Sequence, residues 1–186
     1  MRPSTRAAAT LAALLMALVP AARAQAATGV IADLSRDVSQ VTEKLVGLAR
    51  AMPESTWNWR PGPGVRSVGE VFQHVAADNY FLPTAVGVAA PAATGIKAGD
   101  YAPTQAYETR KVSRDEVIAD LERSLAHLKQ AMQQTTPAEL DKSLTVFGTT
   151  TTRQGFWILA TTHLHEHLGQ AIAYARSNGV VPPWSR

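Results

Sequence analysis

Residues 30–52 read VIADLSRDVSQVTEKLVGLARAM, and this stretch carries the clearest indication of the fold. Its apolar side chains recur at steps of three and four residues: Ile31, Leu34, Val38, Val41, Leu45 and Leu48. That period places them on one stripe of an α-helix, so we expect the stripe to be buried against other elements. Pro53 ends the pattern, because proline disrupts the interior of a helix.

Three further segments repeat this helical pattern. The second helix is predicted from Val68 to about Leu82, and Ser67 and Glu70 stand before it at the spacing of a capping box. Pro83 lies near its end. Four helices with apolar stripes and no convincing set of strands predict an all-α fold, specifically a four-helix bundle.

The third helix follows a second capping-box sequence, Ser113 to Glu116, and runs to about Gln134. The fourth covers about Arg153 to Ser177. Gly179 suits the stop of this helix, and the prolines at 182–183 prevent its continuation.

The connections between these helices differ in character. Residues 87–111 form a long link rich in Gly, Pro and Ala, and links of this length inside a domain are often functional. Residues 137–141 form a short turn. The Thr-rich stretch 143–152 is suited to a short extended excursion.

The N-terminus has the three-part layout of a secretory signal peptide. Arg2 and Arg6 form a basic start, residues 7–19 form an apolar run, and Ala22-Arg23-Ala24 supplies small residues for cleavage. We therefore predict a signal peptide over 1–24 and one helical domain over 25–186, exported to the periplasm. The alternative is an uncleaved anchor or an amphipathic helix.

Cleavage changes the charge of the chain. The full sequence has 18 basic and 15 acidic residues, and the predicted signal carries three arginines and no acid, so the mature chain has 15 of each. A near-neutral chain offers no basic face for nucleic acid. No second apolar run is long enough for a membrane span. The absence of cysteine excludes disulfides, thiolate metal sites and a cysteine nucleophile.

Residues 161–170, TTHLHEHLGQ, carry the strongest chemical signal. His163 and His167 are four residues apart, which puts them on one face of a helix within reach of one metal ion. His165 falls roughly on the opposite side. The third ligand should come from another helix: His74 shares the apolar stripe of the second helix, and His127 on the third helix is the competitor. Three protein ligands with an open position are typical of catalytic metal sites.

These motifs together resemble the DinB-like superfamily of damage-inducible and related helical-bundle proteins, over nearly all of the mature chain. The residues that carry the resemblance are Trp59-Arg60-Pro61, Ser67 to Val75, His163 to Gln170, Tyr174 to Gly179 and Pro182-Pro183.

The pattern of that superfamily has one metal histidine early in the second helix and H-x-x-x-H followed by x-G-Q in the fourth. Here these positions fall on His74, His163 and His167, with Gly169 and Gln170 in register. The resemblance implies a four-helix bundle that binds one divalent metal ion, commonly zinc or nickel, and is often a homodimer. Some relatives are thiol-dependent transferases or isomerases, and the small-molecule substrate of many is unknown.

Several neighbouring side chains have two interpretations each. Glu166 and Gln170 are weak candidates for a catalytic role, as a base or a hydrogen-bond partner of the site, or they are ordinary helix polar residues. Asp78, one turn after His74, either supports the site or is a surface acid. The remaining candidates form two pairs, in which Trp57 and Trp59 either wall a pocket or pack in the core, and Arg60 and Arg66 either bind an anionic substrate or lie on the surface.

Two classes of function follow from the sequence. In the first, the protein is a metal-dependent hydrolase or transferase in which His74, His163 and His167 leave one position open. In the second, it is a non-catalytic metal- or ligand-binding module of the periplasm. The fourth coordination position separates the two, because a protein side chain there would close the site.

Overall fold

The structure is a computed structural model that describes residues 29–185. The predicted signal peptide, 1–24, lies outside the described residues. Within this range the chain forms five α-helices and two strands: α1 (Val30–Ala51), α2 (Val68–Phe81), α3 (Ala102–Glu108), α4 (Arg114–Gln133), β1 (Ser143–Val146), β2 (Thr149–Thr152) and α5 (Arg153–Ser177). Short 3₁₀ turns occupy Glu54–Thr56, Leu82–Val86, Ala92–Thr94, Pro137–Glu139 and Pro183–Ser185.

The four long helices α1, α2, α4 and α5 pack against one another around one apolar core, as the sequence predicts. The α1 stripe is buried at all of its positions except Leu34, which is half-buried. Among the largest side chains fully enclosed by the helices are Trp157, Phe72 and Phe156. The all-α four-helix bundle is therefore confirmed. None of the described helices is long and apolar enough to cross a membrane.

Two small elements complete the bundle. Within the long connection 87–111, α3 forms and packs against α2. The Thr-rich stretch is an antiparallel hairpin in which Ser143 pairs with Thr152 and Val146 with Thr149. Its two turn residues, Phe147 and Gly148, have φ angles of 50° and 76°, which matches the twist that a two-residue hairpin turn requires.

The structure differs from the sequence-based prediction at two details. Ser113 Oγ accepts a hydrogen bond from the Glu116 backbone, but the Glu116 carboxylate accepts from Arg123 instead of completing a capping box. On the last helix, the three- and four-residue spacing of Phe156, Leu159 and His163 predicts one buried stripe, but Leu159 is 40% exposed. It lies one turn before His163, which is itself only partly buried, so both mark the edge of the helix where the core meets solvent.

Candidate metal centre

Helices α2 and α5 bring three histidines together. The capping box of α2 is complete, with Ser67 and Glu70 satisfying each other's backbone N–H, and this fixes the start of the helix and places His74 in its second turn. His163 and His167 lie one turn apart on α5. Each of the three residues offers a ring nitrogen, and these nitrogens lie within 4.8 Å of one another.

The three imidazole rings form a tight group. The ring centroid of His74 is 4.7 Å from that of His167 and 5.4 Å from that of His163, and the two α5 rings are 4.5 Å apart. His74 and His167 are 6% and 9% exposed, whereas His163 is half-buried. Three imidazoles at this spacing have the arrangement of histidines that share one metal ion.

Hydrogen bonds orient two of the rings. Nδ1 of His74 lies 2.7 Å from Oε2 of Glu108, and Nδ1 of His167 lies 2.9 Å from Oε1 of Gln170. Both acceptors are oxygens, so each Nδ1 carries the proton and donates it. The Nε2 atoms are then unprotonated, and their lone pairs are available to a cation. Gln170 is held in turn by donating from its amide to Tyr174 Oη at 3.0 Å.

Asp78 lies beside the other edge of the histidine group. Its Oδ2 is 3.3 Å from Nε2 of His163 and 3.6 Å from Nε2 of His74. Tyr101 donates its hydroxyl to Oδ1 of the same carboxylate at 3.0 Å. Nδ1 of His163 is buried and has no hydrogen-bond partner within residues 29–185. The protein thus leaves His163 less satisfied than its two neighbours.

At neutral pH the site holds a neutral His167 beside the ionised carboxylates of Asp78 and Glu108. Burial lowers the pKa of His167 to about 4, and the hydrogen bond of Gln170 only partly opposes this. Burial alone would raise the pKa of Asp78, but the hydrogen bond from His163 and the nearby imidazoles leave it below the ordinary value. Burial also opposes ionisation of Glu108, yet its contacts with His74 and then Arg66 lower its pKa. A metal ligand must be unprotonated, and His167 meets that condition at neutral pH.

The other candidate residues lie away from this group. His127 packs against the ring of Tyr80 with centroids 5.6 Å apart, and burial lowers its pKa. His165 faces outward and contacts Asp37 at 2.9 Å, as predicted for the opposite side of the helix. Glu166 is exposed, so it belongs with the solvated glutamates of the helix.

The structure also places the two pairs of loop residues, Trp57 with Trp59 and Arg60 with Arg66. Trp57 packs against Phe72, whereas Trp59 contacts the edge of Tyr174. Arg60 and Arg66 line a cavity together with Trp57, close to Glu108.

Two residues that contribute to the site, Tyr101 and Glu108, are not predicted by the sequence analysis. Both come from the long connection between α2 and α4, where nothing in their spacing points to His74 or Asp78. The only available signal was the length of that connection, which indicates a functional segment without saying which side chains matter.

The comparisons with known proteins agree with this architecture. The model of the DinB superfamily matches residues 37–171. A DinB-like protein from Bacillus cereus is similar with a TM-score of 0.63 and 17% identity, covering 81% of this chain and 93% of that one. No curated protein matches the chain.

Two further solved structures have the same fold. A DinB-like protein from Bacillus subtilis has a TM-score of 0.60 at 16% identity, over 80% of this chain and 93% of its own. A protein assigned to the DinB family from Exiguobacterium sibiricum has a TM-score of 0.61 at 22% identity, over 82% of this chain and 93% of its own.

Proposed function

The chain belongs to the DinB superfamily, and on this premise we propose that it binds one divalent metal ion, zinc or nickel, through His74, His163 and His167. We further propose that it uses the ion as a hydrolase or transferase acting on a small molecule. The observation that carries the proposal is the meeting of three ring nitrogens within 4.8 Å of one another.

The surrounding groups fit a metal ion. Glu108 and Gln170 each accept a hydrogen bond from the Nδ1 of a histidine, which is how carboxylates and amides commonly orient metal-binding imidazoles. The buried Nδ1 of His163 has no protein partner among the described residues, and an unsatisfied buried imidazole is costly unless its ring has another role. Binding a metal ion is such a role for the His163 ring.

A divalent ion held by the three imidazoles would supply Lewis acidity, which lowers the pKa of a water or thiol in the open position. The proton would be accepted by Oδ2 of Asp78, which faces two of the histidines. Tyr101 would hold that carboxylate in place through Oδ1. The lowered pKa of Asp78 keeps its carboxylate ionised at neutral pH, so Oδ2 carries no proton of its own.

Asp78 is also the residue that would support the non-catalytic alternative. An Asp78 oxygen that closed the site would leave no position for a substrate, and the ion would then only link α2 to α5. Three ligands with an open position and four ligands without one are the usual difference between catalytic and structural zinc.

Elemental analysis of untagged protein tests the first part of the proposal. We expect about one metal ion per chain in the wild type. The control variant His165→Ala, which removes a histidine of the same helix outside the cluster, should bind the same amount. We expect the ion to be lost in His163→Ala. Wild-type protein that is free of metal and takes up neither zinc nor nickel would contradict the proposal.

Cobalt substitution separates the catalytic from the non-catalytic function. Azide should shift the visible absorption of the Co(II) protein if a coordination position is exchangeable. A spectrum that azide changes in Asp78→Asn but not in the wild type would identify Asp78 as a closing ligand and favour the non-catalytic module.

We also propose that the chain is exported after cleavage of residues 1–24. The support is the basic, apolar and small-residue layout of that segment. Mass spectrometry of the protein in a periplasmic extract should find Gln25 at the N-terminus. Full-length protein confined to the cytoplasmic fraction would contradict export and leave the metal proposal unaffected.

A further inference from the structure

A separate cavity of about 740 Å³ opens beside the histidine cluster. None of the three histidines lines it, but Glu108 does, so Glu108 is common to both places. The volume is in the range of sites for small organic molecules. The question is therefore what chemistry its walls would recognise.

The walls carry more positive than negative charge. Four cationic side chains line the cavity, whereas the acidic ones are Glu70 and Glu108: the cationic set is Arg60, Arg66, Arg110 and Lys111. Arg110 is committed to Asp120 and to the Tyr107 carbonyl. Arg60 is likewise committed to Glu70 and to the Val65 carbonyl.

Arg66 and Lys111 have the most unused donors. A guanidinium has five N–H groups, and within the described part of the chain Arg66 uses one of them in a hydrogen bond, from Nη2 to Glu108 at 3.2 Å. Lys111 is exposed and forms no ion pair with any residue between 29 and 185. Guanidinium and ammonium groups at the mouth of a cavity favour oxygen anions.

The backbone of α2 does not supply the anion site, although the start of this helix lies in the wall. Its first N–H groups are already used, because Val68 and Gly69 donate to the carbonyls of Trp59 and Trp57. Glu70 donates to Ser67 Oγ. An anion would therefore be held by side chains.

Part of the wall is apolar. Val65 and Val112 are each 37% exposed and line the cavity together with Trp57. Exposed valines beside cationic groups suit a ligand that has an apolar body as well as a charged end. Inorganic anions would leave these valines in contact with water.

From this combination we propose that the cavity binds a small organic anion through Arg66 and Lys111, with the apolar part of the ligand against Val65 and Val112. We propose in addition that binding tightens the metal site. An anion that draws Arg66 away leaves Glu108 a stronger acceptor for the Nδ1 proton of His74, which makes that imidazole a better ligand. This second part rests on the proposed metal function, whereas the anion site does not.

Binding is tested by titrating metal-free protein with hexanoate and following backbone amide NMR shifts. The affected amides should centre on Arg66 and on residues 108–112. Hexanamide, which lacks the charge, and inorganic phosphate, which lacks the apolar body, should bind at least several-fold more weakly. Added salt should weaken hexanoate binding because it screens exposed charges.

Lys111→Met is the decisive variant, because Lys111 has no ion pair in the described fold to lose. We expect hexanoate to bind about ten-fold more weakly, which corresponds to the loss of one charge-assisted contact. Lys44→Met changes a lysine outside the cavity and should leave binding unchanged. Equal binding of hexanoate and hexanamide, no hexanoate binding, or full binding by Lys111→Met would overturn the anion site.

The coupling is tested by measuring zinc affinity against a competing chelator, with and without saturating hexanoate. We expect zinc to bind several-fold more tightly with hexanoate present, and hexanoate to bind more tightly by the same factor in the zinc-loaded protein. An unchanged zinc affinity would overturn the coupling alone. Failure to bind zinc under either condition would overturn the metal function and the coupling but not the anion site.

Discussion

Oε2 of Glu108 lies 2.7 Å from Nδ1 of His74, although 34 positions separate the two residues in the chain. The contact joins the short helix α3 to α2 at the candidate metal centre. It also fixes which nitrogen of His74 faces the other histidines. The connection between α2 and α4 is therefore part of the site.

Replacing Glu108 with Gln tests this contact. The amide oxygen can still accept the hydrogen bond from Nδ1 but carries no negative charge, so His74 becomes a less basic ligand. We expect zinc affinity to fall about ten- to hundred-fold with all three histidines retained. Competition with a chromophoric chelator measures the change. Glu43→Gln, at an exposed site on α1, should bind zinc as the wild type does.

The stability of the metal-free protein should depend on pH through His167. Its pKa is about 4 in the folded protein and 6.5 ordinarily, so the unfolded chain takes up a proton first as the pH falls. The stability from this residue is therefore complete above about pH 6.5 and is lost as the pH falls towards 4. The loss is at most about 3 kcal/mol in the free energy of unfolding.

Urea denaturation of wild type and His167→Gln at pH 7 and pH 4.5 measures this effect. The difference between the two proteins isolates His167, because every other titrating group is present in both. A wild type that loses no more stability than the variant would contradict the prediction.

Gly69 is expected to tolerate no side chain. A Cβ at this position would lie 2.3 Å from Nε1 of Trp57, which is itself buried. We expect Gly69→Ala to lower the free energy of unfolding by about 1–3 kcal/mol. Gly47→Ala is the matched control, because its added Cβ meets nothing within 4 Å. Within helix α1 it should raise stability by about 0.5–1 kcal/mol. Similar melting temperatures for both variants would refute the steric argument.

Asp120 should be a major stabilising residue of the α3 region. Its buried carboxylate accepts hydrogen bonds from Tyr80 and Tyr107 and pairs with Arg110 and Arg123. Asp120→Asn removes the charge from this network, and we expect a loss of about 3 kcal/mol. Hydrogen exchange should also quicken in residues 102–108, since Tyr107 holds α3 to α4.

Asp115→Asn provides the comparison for that variant. Its side chain is 90% exposed and, among the residues that the structure describes, pairs only with Arg114, so we expect a change within about 0.5 kcal/mol. An Asp120→Asn protein as stable as Asp115→Asn would show that the buried network contributes little.

The long helices could be predicted from the sequence because their signals are local. The α1 stripe repeats over about five turns, and the Ser67 capping box sets the start of α2. The predicted bounds of the last helix, 153–177, are those of α5. His163 and His167 were paired for the same reason, since four residues make one turn. His74 is preferred over His127 as the third ligand because it shares the apolar stripe of the second helix, and the resemblance to a family supports that choice.

The remainder of the site depends on contacts between distant segments. Seven residues of α3 are too few to show a helical period, and a proline lies near its start. Glu108 therefore looked like any acid in a loop. Asp78 was singled out by its distance from His74, but its contact with His163 depends on how α2 and α5 cross. Such information lies in tertiary packing, which no periodicity records.

The histidines and the residues that orient them belong to different parts of the architecture. His74, His163 and His167 stand on long helices that the core fixes, whereas Tyr101 and Glu108 come from a connection that could be exchanged without rebuilding that core. Substitutions in this connection can therefore change the reactivity of the centre while the helices that carry the histidines stay the same. One helical bundle combined with different connections between α2 and α4 could in this way give rise to sites of different specificity.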